Sequence, residues 1–436
     1  MNYQEALDYI EGLAVFGVKL GLTRIERLLE LLGQPQKQYR TIHVTGTNGK
    51  GSVSAMLAGV LYWTPYRTGL YTSPHLETYR ERMQIDRQMI SEEDFVRILS
   101  MVREKIDEMI AGGEECPTQF EVLTAMAFLY FAEKKVDYAV IEVGLGGLLD
   151  STNVIIPEVS VITNVTMEHA DRCGGTLEGI AQHKAGIIKK GVPVVTAAKG
   201  LPLEIIRNTA AEKNTDVFVA GEDFYSDFLR VHDGKQELEF SSTLIGMDKK
   251  RYDLNLLGIP QIENSAIVFM TAFLLHNNDE VIKPDAVCNA FATVEWPGRF
   301  ESFISGDVQV LVDGAHNPGG IIEFRKSLDM YYPEKQRVFL LGVLQDKDYI
   351  SMLKLLLRPE DALVITMPDS PRAEDPGIVA FQAHCKEIIV EPDRNAALQK
   401  ALSLAGSEKL LCITGSLYLI GNMRRLLLDS GAERKK

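Results

Sequence analysis

The sequence predicts an α/β protein with two parallel-sheet domains. Three observations carry that reading. Short apolar runs of strand length alternate with stretches of helical periodicity over 41–197 and again over 308–428. The alternation lapses over 217–251, and Pro and Gly then fall together in Glu295-Trp296-Pro297-Gly298-Arg299. The chain has 436 residues, too many for one core when a domain holds roughly 100–200. The expected division is 1–297 and 298–436.

The elements follow in order. Tyr3, Leu7, Ile10 and Leu13 recur at helical spacing. A second helix is expected from Thr23, with Glu26 completing a capping box, to a stop at Gly33. Residues 41–45 read as a strand, then a Gly-rich turn, then a helix over 52–61. An apolar helix is expected over 121–131, strands over 136–143 and 159–165, a helix over 179–188 and a strand over 192–197. Residues 217–251 read as short polar strands and turns, followed by a helix over 261–276. Past Gly298 the expected strands are 308–312, 337–344, 362–366, 387–390 and 409–414. The expected helices are 321–328, 349–357, 396–404 and 419–428.

Hydrophobic residues make up 46% and charged residues 24%, the balance of a globular chain rather than a disordered one. Lys+Arg is 46 against Asp+Glu 60, a formal net charge of −14. So acidic a chain is not expected to bind nucleic acid over a broad surface. An anionic ligand must be held by a local cluster of donors or by metal ions. The five cysteines are scattered without a CxxC, which points to free thiols in a reducing compartment and not to zinc. The first residues carry Glu5, Asp8 and Glu11, unlike a signal peptide, and no apolar run approaches the roughly 18 residues of a membrane span. A cytoplasmic protein with no membrane contact is expected.

The strongest chemical signal is Gly46-Thr47-Asn48-Gly49-Lys50-Gly51-Ser52, between a strand and a helix. Glycines let backbone amides turn toward an anion, and a helix N-terminus adds positive potential. Lys50 can reach β- and γ-phosphates, and the Ser52 hydroxyl can ligate Mg²⁺. The spacing differs from GxxxxGK[ST], and an ordinary strand-to-helix turn is the competing reading. Glu142 ends a buried strand, at the crevice where such sheets bind ligands, and could hold Mg²⁺. A solvated strand-end Glu fits as well, although Gly144, Gly146 and Gly147 favour a ligand's close approach. His169 lies just beyond the next strand end, as a metal partner of Glu142 or as a loop residue. Lys184 is ambiguous from spacing, since a helix-face Lys is usually solvated. Asp313-Gly314-Ala315-His316-Asn317-Pro318 repeats the strand-then-turn setting, and a polar turn without a ligand fits it equally well.

Taken together, these motifs resemble a known family. The phosphate loop, Thr72-Ser73-Pro74-His75-Leu76, the EVGLGG run from Glu142, Asp150-Ser151-Thr152-Asn153, the HKAGI run from His183, WPGR from Trp296, DGAHNP from Asp313 and TGSLYL from Thr414 resemble the signature set of folylpolyglutamate synthase. That family belongs to the Mur ligase superfamily of ATP-dependent amide-bond ligases. The matches span nearly the whole chain in family order.

The resemblance implies a P-loop parallel-sheet ATPase domain followed by a smaller Rossmann-like α/β domain. It implies ATP and Mg²⁺ as cofactors, folate, L-glutamate and ATP as small-molecule partners, and a monomer. Lys50 and the amides of 47–52 would hold the ATP phosphates. Ser73 and Glu142 match ligands of one Mg²⁺; Glu142, His169 and a carbamylated Lys184 match those of a second. Gln261, Asn264, Arg299, Asp313 and His316 match nucleotide-site contacts. Lys50, Lys184 and His316 are the expected catalytic groups. The reaction implied is phosphorylation of a carboxylate to an acyl phosphate, then attack by the amine of glutamate.

Four positions depart from the family pattern: Leu148 replaces an Arg, Glu168 an Asp, Pro260 a His and His183 a Glu. Leu148 puts a second activity, condensation of dihydropteroate with glutamate, in doubt. The alternatives are a bifunctional enzyme with that activity, a ligase acting on a cell-wall precursor, and a P-loop nucleotide-binding module without ligase activity.

Overall fold

The structure, a computed structural model, describes residues 1–167, 173–244 and 249–435. Helices α1 (Tyr3–Gly12) and α2 (Thr23–Leu31) open the chain, burying Ala6 and Ile10 from one and Ile25, Leu28 and Leu29 from the other. Asn2 and Glu5 form a reciprocal cap on α1, side chain to backbone at 2.9 Å both ways. The capping box expected at Thr23 and Glu26 is absent. Thr23 is already the first helical residue, which leaves Leu22, whose side chain has no acceptor, at the N-cap.

The first sheet is built from β1 (Arg40–Thr45), β2 (Thr68–Tyr71), β3 (Met83–Ile85), β4 (Gln88–Met89), β5 (Tyr138–Glu142), β6 (Val159–Ile162), β7 (Val194–Thr196) and β8 (Val217–Val219). Its order is β4-β3-β2-β5-β1-β6-β7-β8. The run from β2 to β8 is parallel, and β3 and β4 add an antiparallel edge. Val44 pairs with Glu142 and Thr45 with Ile162, so β5, β1 and β6 end level with one another. The connecting helices are α3 (Lys50–Tyr62), α4 (Glu92–Ala111), α5 (Gln119–Glu133), α6 (Leu177–Ala185) and α7 (Leu201–Glu212). One core packs α1, α2, α4 and α5 against the sheet around Phe95, Phe128, Phe131 and Ile141. Another packs α6 and α7 around Ile180, Ile187 and Ile206. Burying each such side chain contributes roughly 1.5–3 kcal/mol. The expected elements do not include α4 or α7, although Phe95, Ile98, Leu99, Val102, Ile106 and Met109 of α4 are buried at helical spacing.

The stretch 217–251 is more regular than expected. After β8 come β9 (Phe224–His232) and β10 (Lys235–Ser242), nine and eight residues long, and β11 (Lys250–Leu254). They form a separate sheet in the order β11-β10-β9. In β10 Gln236, Leu238 and Phe240 are buried in alternation, and Phe240 stacks on Phe269 of α8 (Pro260–Asn278) with ring centroids 4.3 Å apart. The expected polar pattern came from the outward residues, which pair as Arg251 and Lys249 on Glu239. Helix α9 (Pro284–Thr293) follows.

The remaining elements are β12 (Glu301–Ser305), β13 (Val308–Val312), α10 (Pro318–Tyr331), β14 (Arg337–Leu341), α11 (Tyr349–Leu356), β15 (Ala362–Ile365), α12 (Pro376–Gln382), β16 (Glu387–Val390), α13 (Arg394–Ala405), β17 (Leu410–Thr414), α14 (Leu417–Asp429) and β18 (Glu433–Arg434). Their sheet runs β16-β15-β14-β17-β13-β12-β18, parallel from β16 to β13 and antiparallel at β12 and β18.

The chain divides into two compact units. One comprises Met1–Leu229, Leu238–Leu254 and Glu263–Val294; the other comprises Arg230–Glu237, Asn255–Ile262 and Glu295–Lys436. Among the described residues no disulfide joins any of the five cysteines. Among the described residues no helix is long and apolar enough to cross a membrane.

Candidate active site

The loop between β1 and α3 is shaped by what its glycines leave out. Gly46 has φ +151°, and a Cβ there would overlap the Thr163 hydroxyl. Gly49 has φ +88°, and its Cβ would stand 2.7 Å from Asn264 Oδ1. The loop is therefore free to press against the segment following β6. The Thr47 amide donates to Asn164 O at 2.9 Å and the Asn48 amide to Asn164 Oδ1 at 2.9 Å. The Thr163 hydroxyl donates to Asn48 O at 2.6 Å, and the Thr166 amide to the Thr47 hydroxyl at 3.0 Å. Lys50 folds its ammonium back over the loop, on Gly46 O at 3.0 Å and Thr47 O at 3.2 Å. Gly51 and the buried Ser52 lie in the first turn of α3, where helix amides favour an anion. Thr163 and Asn164 are loop-forming residues that the sequence reading assigns no part. Their signal was a polar pair directly after a buried strand.

Next to this loop, β5 ends in Glu142, which is buried and accepts the Ser73 amide on Oε2 at 2.9 Å. The glycine-rich turn that follows is tied from below. The Leu145 amide donates to Asp150 Oδ2 at 2.8 Å, and the Thr45 hydroxyl to Gly146 O at 2.7 Å. Burial pushes the Asp150 carboxyl up, while the Thr152 hydroxyl and surrounding amides oppose that rise. The Thr152 hydroxyl donates to Asp150 Oδ1 at 2.6 Å, so His43 Nε2, 2.9 Å away, must donate to Thr152 Oγ1. Lys184 is buried near the end of α6, with 6% of its surface exposed. A pocket lined by Lys50, Lys184, Thr45, Val143, Gly146 and Cys173 brings both turns and both lysines together. Leu148 is 44% exposed; its amide donates to His183 O at 2.7 Å, and its side chain lies against Gly186. His169 and Glu168 lie outside the described residues, and among those described no three His, Cys, Asp or Glu side chains cluster as a metal site.

In the second unit, Asp313 ends β13 buried. It accepts the Phe300 amide on Oδ2 and the Ala315 amide on Oδ1, each at 2.9 Å. Burial pushes its carboxyl up and the neighbouring Arg299 charge opposes this. Arg299 lies against Gly314, whose amide donates to Gly298 O at 2.9 Å. Glu301, buried, accepts the Gly298 amide at 2.8 Å and pairs with Arg424 and Arg434 at 3.0 Å, so it fixes the Pro-Gly turn. His316 Nδ1 donates to Gly314 O at 2.8 Å, which sets the ring's orientation. Asn317 caps α10 through Gly320 N at 2.7 Å, and Ser416 caps α14. Gln261 and Asn264 sit in the first turns of α8, both buried.

Comparison with known proteins gives this geometry a context. The Mur ligase middle domain family matches residues 44–272, and the Mur ligase, glutamate ligase domain family matches 298–417. The chain is 34% identical over 435 residues to the dihydrofolate synthase/folylpolyglutamate synthase of Bacillus subtilis, covering 98% of this chain and 99% of that one. It is 35% identical to the folylpolyglutamate synthase of Lacticaseibacillus casei, with 98% and 99% coverage. The chain belongs to the folylpolyglutamate synthase family. A crystal structure of Mycobacterium tuberculosis folylpolyglutamate synthase complexed with ADP and AMPPCP superposes with TM-score 0.88 at 31% identity, covering 99% of this chain and all of that one. As a member of the folylpolyglutamate synthase family, this protein is an ATP-dependent ligase with the two-domain Mur ligase fold. The pocket holding Lys50 and Lys184 lies wholly within the stretch matched as the middle domain.

Proposed function

We propose that the protein joins L-glutamate to the terminal glutamate of a reduced folate, at the expense of ATP. The observation that carries this is the pocket in which the β1–α3 loop, the turn after Glu142 and Lys184 converge at the carboxyl edge of one parallel sheet. Residues 1–297 would hold ATP and the acceptor.

The acceptor's γ-carboxylate oxygen attacks the γ-phosphorus, ADP leaves, and an acyl phosphate forms. The glutamate amine then attacks the carbonyl carbon, phosphate leaves, and the nitrogen loses its extra proton. Negative charge spreads over phosphoryl oxygens in the first step. The first-turn amides of α3 and the Lys50 ammonium, once it turns from Gly46 O and Thr47 O, would stabilise that charge. Ser52, Ser73 and the buried Glu142 are all oxygen donors, which suits a hard cation such as Mg²⁺. When bound there, Mg²⁺ supplies charge neutralisation to the phosphates. Lys184, 6% exposed, would complete a second site with Glu142 and His169 as a carbamate. His316, held by Gly314 O on Nδ1, would turn its other nitrogen to the nucleotide or the incoming amine.

The test is ADP release with ATP, Mg²⁺, tetrahydrofolate and radiolabelled glutamate. Release that needs both folate and glutamate, with label in the product, is expected; release without either overturns the reading. Lys50→Ala should abolish turnover while the circular dichroism spectrum stays unchanged. The name of the Bacillus subtilis relative favours a second reading, a bifunctional enzyme. Leu148, offering no donor to a carboxylate, weighs against it. Dihydropteroate in place of tetrahydrofolate should be extended at least tenfold less efficiently, because a charged hydrogen bond contributes about 1.5–3 kcal/mol.

A further inference from the structure

The segment after β2 carries a cation that the proposed mechanism does not use. Arg82 Nε donates to His75 Nδ1 at 2.9 Å. A guanidinium can only donate, so His75 accepts on Nδ1 and keeps its single proton on Nε2. Arg82 is therefore positioned by a neutral partner, and its charge is undiminished. Its guanidinium also lies over the Tyr79 ring, 5.2 Å from the centroid. Among the described residues no carboxylate pairs with it, and its two terminal nitrogens make no hydrogen bond. That is unusual in a chain carrying 60 carboxylates against 46 Lys and Arg.

The contrast with Arg80 is informative. Arg80 is consumed by structure, donating to Ile90 O at 2.7 Å and Glu92 at 3.4 Å. The segment bearing Arg82 is rigid, because Glu81 accepts the Leu76, Glu77 and Thr78 amides at 2.7, 2.8 and 2.7 Å. It is also at the site. Ser73, its second residue, donates to Glu142, and the charges of Arg82, Asp150 and Glu142 are all felt at the buried Tyr71 hydroxyl.

We propose that Arg82 is the acceptor-binding cation, its terminal nitrogens taking the α-carboxylate of the folate's last glutamyl residue while the γ-carboxylate reacts. His75 is a positioning residue that aims the guanidinium without neutralising it. A guanidinium presents two parallel donors that match a carboxylate. The inference rests on the ligase reading above.

Steady-state kinetics on the full chain test it, with the KM for tetrahydrofolate, glutamate and ATP measured separately. Arg82→Ala should raise the folate KM roughly tenfold to a hundredfold and leave the other two within twofold. Arg82→Lys should fall between, keeping charge but losing the fork. His75→Gln retains an acceptor for Arg82 and should stay near wild type, whereas His75→Leu should raise the folate KM. Arg80→Ala should lower thermal stability without moving the folate KM. Should Arg82→Ala misfold, a folate whose α-carboxylate is an amide serves instead on the wild type, and must bind at least tenfold more weakly. An unchanged folate KM, equal binding of the amide, or a change confined to glutamate or ATP overturns the proposal. Wild-type protein inert toward every folate would instead overturn the ligase reading.

Discussion

His43 shows how much one residue's environment can set. It lies fully buried on β1, with Nε2 on the Thr152 hydroxyl and, among the described residues, no hydrogen-bond partner for Nδ1. Burial, with the Lys189 charge in support, lowers its pKa to about 3. The folded protein therefore keeps it neutral where the unfolded chain, titrating near 6.5, binds a proton. Stability is complete above about pH 6.5 and falls as pH drops toward 3, by up to about 1.4 kcal/mol per pH unit for one group. His75 acts in the same direction. Urea midpoints at pH 7.5, 6 and 5 should show the decline, and His43→Gln should flatten it; an unaltered slope would contradict this account. Sequence alone placed Lys50 and Glu142, because each sits where an apolar strand ends. It could not show that Asp150, Thr152 and His43 form a chain beneath the glycine-rich turn. That depends on β1 and the turn after β5 being neighbours in the sheet.

Helix ends carry as much of the site as side-chain chemistry does. Asn317 belongs to the DGAHNP run, and its structural duty is plain: it caps α10. His316 directly precedes it and is aimed by Gly314 O. Asn317→Ala should cost about 1 kcal/mol in denaturant-measured stability. It should also raise the KM for ATP or glutamate through His316, and Asn317→Asp should restore most of both. A loss of stability with kinetics untouched would separate the cap from the site. The same logic explains the misplaced cap on α2. Thr23 and Glu26 have the right spacing, but the helix begins one residue earlier than that pattern requires. Arg24 on its next position reaches Glu121 at 3.1 Å, a tertiary pairing that the local capping pattern does not reveal. Sheet β9–β11 was illegible for a similar reason: its inward Leu238 and Phe240 are outnumbered by paired outward charges. Strands β1, β5, β14 and β17 were legible because their apolar runs are buried on both faces.

At the scale of the whole molecule, the net charge of −14 opposes every substrate proposed for it. ATP, folate and glutamate are all anions, and the long-range field of the chain repels them. The attractive groups, Lys50 with the loop amides and Arg82, act over short distances. Salt separates the two effects. The Debye length is about 10 Å at 0.1 M, so moderate salt screens the distant repulsion while leaving contacts within the pocket largely intact. At fixed free Mg²⁺, kcat/KM for the folate should therefore rise as NaCl goes from about 10 to about 150 mM, and then level off. Chelating the cation should abolish turnover at any salt, since three anions would then meet two or three fixed positive groups. A steady fall of kcat/KM from the lowest salt would mean that the local cations, and not the acidic surface, govern capture. Arg82→Ala would then be expected to lose most of that salt dependence, which makes the two explanations separable in one titration.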